Sequence, residues 1–249
     1  MPASNIDFSV VTHVIHFSVL PNADGSLDTN NNTITPAYTA DVVSRAHAAS
    51  RKALICAGGA GTSFQSAVSG AYLQAFVAHL TNFMAVGGYD GIDVDWEPLN
   101  DSDNTLFTNF VARLRIAMDG FGTHKLLTVA VPTDATPAIL ASVQSQFDQI
   151  NLMTYDLSGP WEGWVTWFNA PVYNEALTFP SVPGEPLPSI DGAVANFLAA
   201  GIATNKLGIG IPFYGYIWQG GVGTSTGGAT QPYQSWTTAP SVNAFPTTT

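Results

Sequence analysis

The sequence predicts an α/β fold in which crossover helices cover a parallel sheet. Six short apolar segments, mostly continuous runs of Val, Ile and Leu, have the pattern of strands buried on both faces. The stretches between them carry apolar residues at spacings of three and four, which is typical of helices. Because strands and helices alternate along the chain, parallel strands joined by helices are expected.

The elements follow in a regular order. The predicted strands cover residues 10–18, 53–57, 91–97, 126–131, 149–155 and 207–212. The predicted helices cover residues 38–50, 64–86, 104–118 and 190–200, with a shorter one beginning at Pro137. Thr35-Pro36 gives the first helix a start signal, and Gly201 closes the last.

Two regions interrupt the alternation. Residues 157–188 are rich in Trp and Pro, and residues 215–249 are rich in Gly, Thr and Ser. Long loops in compact domains are commonly functional. We expect the first region to line a site and the second to be irregular, within a single domain over residues 1–249.

Composition narrows the possible partners. Apolar residues make up 46% of the chain and charged residues 10%, a balance that excludes a disordered chain. With a net charge of −11 and only 7 Lys and Arg, the chain lacks the basic surface that nucleic acids and acidic membranes require. A neutral ligand, such as an uncharged sugar polymer, remains compatible.

The cellular location is only weakly indicated. Cys56 is the single cysteine, so no intramolecular disulfide can form and the redox compartment stays open. The N-terminus has no basic region followed by an apolar run, and no apolar stretch is long enough for a membrane helix. The abundance of small polar residues is typical of secreted enzymes, so we expect an extracellular protein whose signal peptide is not part of this sequence.

The most informative segment is Asp-Gly-Ile-Asp-Val-Asp-Trp-Glu-Pro at residues 90–98. Side chains alternate between the two faces of a strand, so Asp93, Asp95 and Glu97 share one face. Pro98 cannot donate to a strand ladder, so the strand should end there and leave Glu97 at its C-terminal end.

Three carboxyl groups spaced about 6–7 Å apart along a strand cannot all ionise cheaply. At least one pKa should therefore rise, and a carboxyl group that is still protonated near neutral pH is suited to general acid catalysis. Two alternatives stay open: a solvent-facing strand whose acids point to water, and a metal site made of carboxylates, although calcium loops place their ligands differently.

This segment resembles the D-G-x-D-x-D-x-E motif of the family 18 glycoside hydrolases, the chitinase family. Further matches occur in the expected order. They are Thr-His-Val-Ile at 12–15, Cys-Ala-Gly-Gly at 56–59, Met-Thr-Tyr-Asp at 153–156 and Gly-Ile-Pro-Phe-Tyr-Gly at 210–215. The resemblance covers about residues 10–220 and implies a TIM-type (β/α) barrel.

The resemblance also implies roles for individual residues. Glu97 would protonate the glycosidic oxygen, while the substrate's own N-acetyl oxygen attacks the anomeric carbon. Asp95 would orient that acetamide, and Asp93 would support Asp95. Tyr155 would hydrogen-bond the acetamide. The residues implied to bind the sugar are Asp156, Tyr214 and Met153, the last by packing under the pocket. No cofactor and no metal are implied.

The tryptophans of the long loop allow two interpretations. Trp161, Trp164 and Trp167 either form an aromatic platform for sugars or fold the loop onto the body. We favour Trp161 for sugar binding because it is nearest the Met-Thr-Tyr-Asp motif. The sequence also departs from the family pattern at Cys56, where serine is usual, and at Ala60, where an aromatic residue is common.

The resemblance accounts for about six of the eight strand units of a barrel. We therefore expect an incomplete barrel whose first and last strands are missing. Its open edge strands would be a pairing liability, so they are expected to be covered by loops or by a second copy of the chain in a homodimer.

Three functions are compatible with this sequence. The leading one is hydrolysis of β-1,4-N-acetylglucosamine linkages in chitin with retention. A non-catalytic chitin-binding lectin of the same fold is a second, although such relatives usually lose the acid at the position of Glu97. An endo-N-acetylglucosaminidase acting on glycoprotein glycans is the third.

Overall fold

A computed structural model describes residues 2–246 of the chain. These residues form two compact units. Unit 1 comprises residues 2–151 and 200–208, and unit 2 comprises residues 152–199 and 209–246. The single domain expected over residues 1–249 stays a prediction.

The main sheet contains seven strands. They are β1 (His13–Pro21), β2 (Leu27–Asp28), β3 (Lys52–Ala60), β4 (Gly91–Glu97), β5 (Leu126–Pro132), β6 (Gln149–Met153) and β7 (Leu207–Ile209). Their order across the sheet is β2-β1-β3-β4-β5-β6-β7, and β1, β3, β4 and β5 pair in parallel. All six predicted strands are therefore present, and β2 is a short antiparallel addition to β1.

Six α-helices accompany the strands. They are α1 (Pro36–Ala48), α2 (Phe64–Ala67), α3 (Tyr72–Gly87), α4 (Asn104–Asp119), α5 (Pro137–Val143) and α6 (Ile190–Ala199). The start of α1 follows its sequence signal, because the Thr35 side chain accepts the backbone N–H of Tyr38 and Pro36 opens the first turn. In the described part of the chain, the helices lack the combination of length and apolar character needed to cross a bilayer.

The single helix predicted over residues 64–86 is wrong in one respect. The segment forms two helices, α2 and α3, with a break between Ala67 and Tyr72. Gly70 lies in this break with φ of 53°, a left-handed conformation that does not continue a right-handed helix. The apolar spacing across the break continues because both helices contribute buried side chains to the same core.

An aromatic cluster fixes the orientation of β4. Trp96 stacks on Phe64 of α2, with ring centroids 4.8 Å apart and an interplanar angle of 6°, and meets Phe107 of α4 edge-on at 5.9 Å. Burying each of these side chains contributes about 1.5–3 kcal/mol. Because Trp96 is held by the helices, strand alternation turns Asp95 and Glu97 to the opposite face of the sheet.

The second interrupting region is not irregular throughout. Unit 2 contains an antiparallel pair formed by β8 (Tyr214–Gln219) and β9 (Ser241–Pro246), with Tyr216 opposite Ala244. The expectation that residues 215–249 are irregular is therefore wrong for these two strands, and residues 247–249 lie outside the described residues. A long Gly- and Thr-rich connection separates the two strands, so their pairing depends on contacts that local sequence patterns do not carry.

Residues 157–188 have little regular structure but are not loosely held. Val165, Trp167 and Leu187 are buried together, and Leu177 and Phe179 pack against them. The indole Nε1 of Trp167 donates to the Pro188 carbonyl at 3.0 Å. This part of unit 2 has a small hydrophobic core of its own, which gives its aromatic side chains fixed positions.

Gly58 on β3 is predicted to be intolerant of substitution. A Cβ there would lie 2.0 Å from the Asp95 carbonyl oxygen and 2.6 Å from the Phe64 ring, and the residue has φ of +122°. Gly58→Ala should lower the free energy of unfolding by about 2–6 kcal/mol, the combined range for overpacking and a strained backbone. Urea denaturation measures this change.

The matched control for this prediction is Gly61→Ala. Gly61 also has a positive φ, of +70°, but a Cβ there would meet nothing within 4 Å. Gly61→Ala should lower the free energy of unfolding only by the cost of the left-handed backbone conformation, about 1 kcal/mol. Equal losses in the two variants would contradict the argument from the close approach of β3 and β4.

Candidate active site

The three carboxyl groups of β4 have distinct neighbours on the flanking strands. Asp93 is paired in register with Cys56 on β3 and Thr128 on β5. Asp95 lies between Gly58 and Ala130, which have no polar side-chain group. Asp93 is therefore flanked by hydrogen-bond donors on both neighbouring strands, whereas Asp95 has no side-chain donor at the corresponding positions.

Asp93 is a buried carboxyl group with two donors. It is 2% exposed, and it accepts hydrogen bonds from the Thr128 hydroxyl and the Cys56 thiol. Burial raises its pKa to about 6, and the bonds from Thr128 and Cys56 act in the opposite direction. The row is thus not a solvent-facing strand edge, and that alternative is excluded.

Asp95 holds a proton more strongly than Asp93 does. Burial, then the nearby charges of Glu97 and Asp93, and then a hydrogen bond with Glu97 raise the pKa of Asp95 well above its usual range. A hydrogen bond that favours the neutral acid is one in which Asp95 donates, so its proton lies between Asp95 and Glu97. Its Oδ1 atom is buried without a hydrogen-bond partner in the described chain.

Cys56 acts as a donor at this site. Burial, followed by the charges of Asp93 and Asp95, raises the pKa of the thiol well above its ordinary value. The thiol therefore stays neutral and is unsuited to nucleophilic attack. The departure from the family's usual serine keeps a hydrogen bond to Asp93 but makes it from a weaker donor.

Thr128 offers a direct test of this network. Thr128→Val removes the hydroxyl that bonds Asp93, and the pKa of Asp93 should then rise above about 6 because a bond that lowers it is lost. Carboxyl carbon NMR across pH 4–9 measures the change. Thr128→Ser keeps the hydroxyl and should leave the pKa of Asp93 nearly unchanged; an equal rise in both variants would contradict the assigned bond.

Unit 2 contains a second polar cluster, centred on Asp156. This residue has φ of 56°, and its backbone N–H donates to the Asn169 side chain at 2.8 Å. Its carboxylate accepts from the Tyr214 hydroxyl at 2.6 Å and also from the Tyr216 hydroxyl. A non-glycine residue in the left-handed region is strained, and Asn169 helps hold it there.

The two tyrosines respond to this carboxylate. Burial and the hydrogen bond to Asp156 raise the pKa of Tyr214 and of Tyr216 far above the usual value, so both phenols stay protonated. The Tyr155 ring meets the Tyr214 ring edge-on at 6.3 Å. Gly210 permits this arrangement, because a Cβ there would lie 2.6 Å from the Tyr155 ring.

The remaining predicted residues also lie in unit 2. Met153 ends β6 and is partly buried. Trp161 is 48% exposed, and its ring meets Trp164 edge-on at 4.4 Å, while Trp167 is buried. Trp167 therefore folds the loop, whereas Trp161 keeps an accessible surface.

The structure thus groups the predicted residues into two sets. Asp93, Asp95 and Glu97 lie together in unit 1, and Met153, Tyr155, Asp156, Trp161 and Tyr214 all lie in unit 2. Across residues 2–246, no group of three or more His, Cys, Asp or Glu side chains is arranged to hold a metal ion.

Sequence reasoning missed Tyr216 and Thr128. Tyr216 lies two residues after Tyr214 on β8, so the alternation of a strand would have placed both phenols on one face. Thr128 lies in a predicted strand, but its contact with Asp93 depends on the register between β4 and β5.

Most glycosidases use a pair of carboxyl groups beside the bond that is cut, and β4 presents several carboxyl groups on one face. The sequence model of glycosyl hydrolases family 18 matches residues 3–245, and the chain belongs to this family. This membership and the structural likenesses below confirm the predicted TIM-type α/β fold.

Relatives by sequence are chitinases. Chitinase A1 of Niallia circulans is 30% identical in an alignment of 197 positions that covers 72% of this chain and 28% of the relative. Chitinase 1 of Aphanocladium album is 32% identical in an alignment of 185 positions that covers 69% of this chain and 41% of the relative. The chain therefore spans less than half the length of these two relatives.

Solved structures show the same fold. The group IV chitinase of Ostrinia furnacalis, in complex with allosamidin, has a TM-score of 0.79 at 24% identity and covers 96% of this chain and 70% of its own. A class V chitinase of Nicotiana tobaccum, in complex with NAG4, has a TM-score of 0.74 at 24% identity and covers 95% of this chain and 73% of its own.

Proposed function

We propose that this chain hydrolyses β-1,4 linkages between N-acetylglucosamine units of chitin, with retention of configuration. The observation that carries the proposal is the row of carboxyl groups on β4, in which Asp93 and Asp95 are buried and Asp95 is hydrogen-bonded to Glu97 at the end of the strand. Membership of family 18 and the chitinase relatives support the same substrate class.

The shared proton gives the two acids complementary roles. When the proton lies on Glu97, that residue can donate it to the glycosidic oxygen as the bond to the leaving sugar breaks. Asp95 is then an anion, which can accept the N–H of the substrate acetamide and stabilise the positive oxazolinium formed when the acetamide oxygen attacks the anomeric carbon. Water then opens this intermediate, with Glu97 as the base.

Asp93 influences the transfer of the proton between Asp95 and Glu97. Its two donors, Thr128 and Cys56, favour its ionised form, while burial favours its neutral form. A negative charge on Asp93 in turn makes it harder to ionise Asp95 in the resting enzyme. Asp93 thereby keeps the proton near Glu97, where the reaction uses it.

The unit 2 residues are proposed to hold the sugar. Tyr155 hydrogen-bonds the acetamide, and Asp156 and Tyr214, which are already bonded to each other, contact the ring hydroxyls. Met153 packs under the sugar, and the exposed face of Trp161 stacks on a pyranose ring. These roles use carboxyl groups, phenols and the substrate amide, so we propose no cofactor.

We further propose an extracellular location and a homodimer. Chitin is an insoluble polymer, and an enzyme that degrades it must meet it outside the cell.

The homodimer is proposed from the edge of the sheet in unit 1. There β1 pairs with β2 only through Leu20 and Pro21, while Ile15 and Phe17 are 40% and 55% exposed. Pairing of this edge with a second copy would cover them. Light scattering should give twice the chain mass; a monomer at all concentrations would exclude the dimer.

Incubation with defined oligomers tests the proposed reaction. Chitohexaose should be cut to shorter oligomers that are initially β-anomers, whereas cellohexaose, which lacks the N-acetyl group, should be left intact. A glycoprotein glycan with a chitobiose core distinguishes an endo-N-acetylglucosaminidase. Binding of chitohexaose without products would favour the lectin, and equal cleavage of cellohexaose would exclude participation of the acetamide.

A further inference from the structure

We infer that unit 2 contains an additional binding subsite for one ring of a neutral oligosaccharide. A cavity of about 420 Å³ is lined by residues 166–169, by residues 215, 216 and 218 of β8, and by residues 229–232. It shares Tyr216 and Asn169 with the Asp156 cluster, but its other lining residues have no place in the proposed reaction.

The lining is aromatic on two sides. Phe168, which is 53% exposed, lies on one side, and Tyr216 and Trp218 lie on β8 at alternate positions that share a strand face. Phe168 packs against the buried Trp167 at 5.3 Å, and Trp218 packs against Trp236 at 5.9 Å. Neighbouring rings therefore restrict both aromatic side chains before any ligand arrives.

The part of the lining formed by residues 229–232 is held in place by hydrogen bonds without a ligand. The buried side chain of Gln234 accepts the backbone N–H groups of Thr230 and Gln231 at 3.0 Å each. Its amide donates to the hydroxyl groups of Thr226 and Ser225. A wall held in this way does not have to be ordered when a ligand binds, which lowers the entropic cost of binding.

The chemistry of the lining selects the ligand. Asn169, Thr230 and Gln231 add polar but uncharged residues to the aromatic lining, which contains no Asp, Glu, Lys, Arg or His. Tyr216 stays protonated, because burial and its bond to Asp156 raise its pKa. A pyranose ring presents apolar faces and hydroxyl edges and carries no charge, which matches this surface. The net charge of −11 disfavours anionic ligands such as nucleotides.

The inference rests on the proposed function for the identity of the sugar. If that function is correct, the ring is an N-acetylglucosamine unit of a chain long enough to fill this cavity while another of its units contacts the Asp156 cluster. Longer oligomers should then bind more tightly than short ones, and the difference should depend on Phe168 and Trp218.

Calorimetric titration of the Glu97→Gln protein, which should bind without turnover, tests this dependence. Phe168→Ala and Trp218→Ala should each weaken chitohexaose binding by about 3- to 10-fold, the range expected for loss of one aromatic contact. Chitobiose binding should change less than twofold. Tyr173→Ala removes an aromatic ring that is 66% exposed in unit 2 but lies outside the cavity, and it should change neither affinity.

Unchanged chitohexaose affinity in both cavity variants would overturn the subsite, whatever the enzyme hydrolyses. Equal weakening of chitobiose and chitohexaose would also overturn it, because the cavity would not then act on longer chains alone. If the wild-type chain cleaves no chitohexaose while the length-dependent loss is observed, the proposed reaction fails and the subsite stands. Circular dichroism of each variant separates misfolding from loss of a contact.

Discussion

Glu97→Gln should lower turnover of chitohexaose by about 10²- to 10⁴-fold, the range for loss of a general acid. The amide has nearly the shape of the carboxyl group but cannot give a proton to the glycosidic oxygen. Binding should persist, so the loss should appear in kcat rather than in KM. Steady-state kinetics with chitohexaose measures both constants.

The substitution should also change Asp95. The charge of Glu97 and its hydrogen bond are among the causes that raise the pKa of Asp95, and both are altered by the amide. That pKa should therefore fall in the variant, a change that a merely structural role of Glu97 would not require. Glu185→Gln, an exposed substitution in unit 2, is the control and should leave kcat unchanged. Turnover above one tenth of wild type in Glu97→Gln would contradict the assignment of the proton donor.

Strand β4, with its row of carboxyl groups, was the feature that the sequence predicted best. Its bounds, Gly91–Glu97, agree with the structure, because a buried strand with alternating acids and a terminal proline contains its own start and stop signals. The burial of Asp93 and Asp95 follows from the same pattern, since the continuous apolar flanking strands indicated a covered sheet. Local sequence was sufficient here because the local and the tertiary preferences agree.

Other features depended on contacts between distant segments. The β8–β9 pair and the hydrogen bond from Tyr216 to Asp156 join residues far apart in sequence. No local sequence pattern predicts such contacts. The division of α2 from α3 was hidden because its helical spacing of apolar residues continues across the break. The donors to Asp93 became apparent only with strand register, which places Cys56 and Thr128 on either side of it.

The pKa values of the carboxyl groups on β4 were likewise predicted only in part. Alternation alone predicted that at least one carboxyl pKa would rise, but it could not say which. The answer depends on the neighbours. Asp93 has two donors that oppose the effect of burial, whereas Asp95 has only Gly58 and Ala130 beside it and a negative neighbour at each end. The lack of hydrogen-bond donors at Gly58 and Ala130 therefore contributes, together with the neighbouring acids, to the different pKa values of Asp93 and Asp95.

Asp95→Asn should have opposite effects on activity and stability. Turnover should fall by about 10²- to 10³-fold, the range for loss of a group that stabilises charge in the transition state. Stability at neutral pH should rise, because a buried carboxyl group between two others is replaced by a neutral amide. Urea denaturation from pH 4 to pH 8, together with kinetics, measures both effects.

The dependence on pH gives the sharper test. Asp93 and Asp95 have folded-state pKa values above their ordinary value of 3.8, so the folded chain binds more protons than the unfolded chain. Their contribution to stability is complete below that pH and is lost as the pH rises through the folded values, at up to about 1.4 kcal/mol per pH unit for each group. In Asp95→Asn only Asp93 remains, so the decline should level off near pH 6, whereas the wild type continues to lose stability above it. Asp134→Asn, at an exposed position, should keep the wild-type profile. If Asp95→Asn also kept that profile, Asp95 would not be the acid that holds the additional proton.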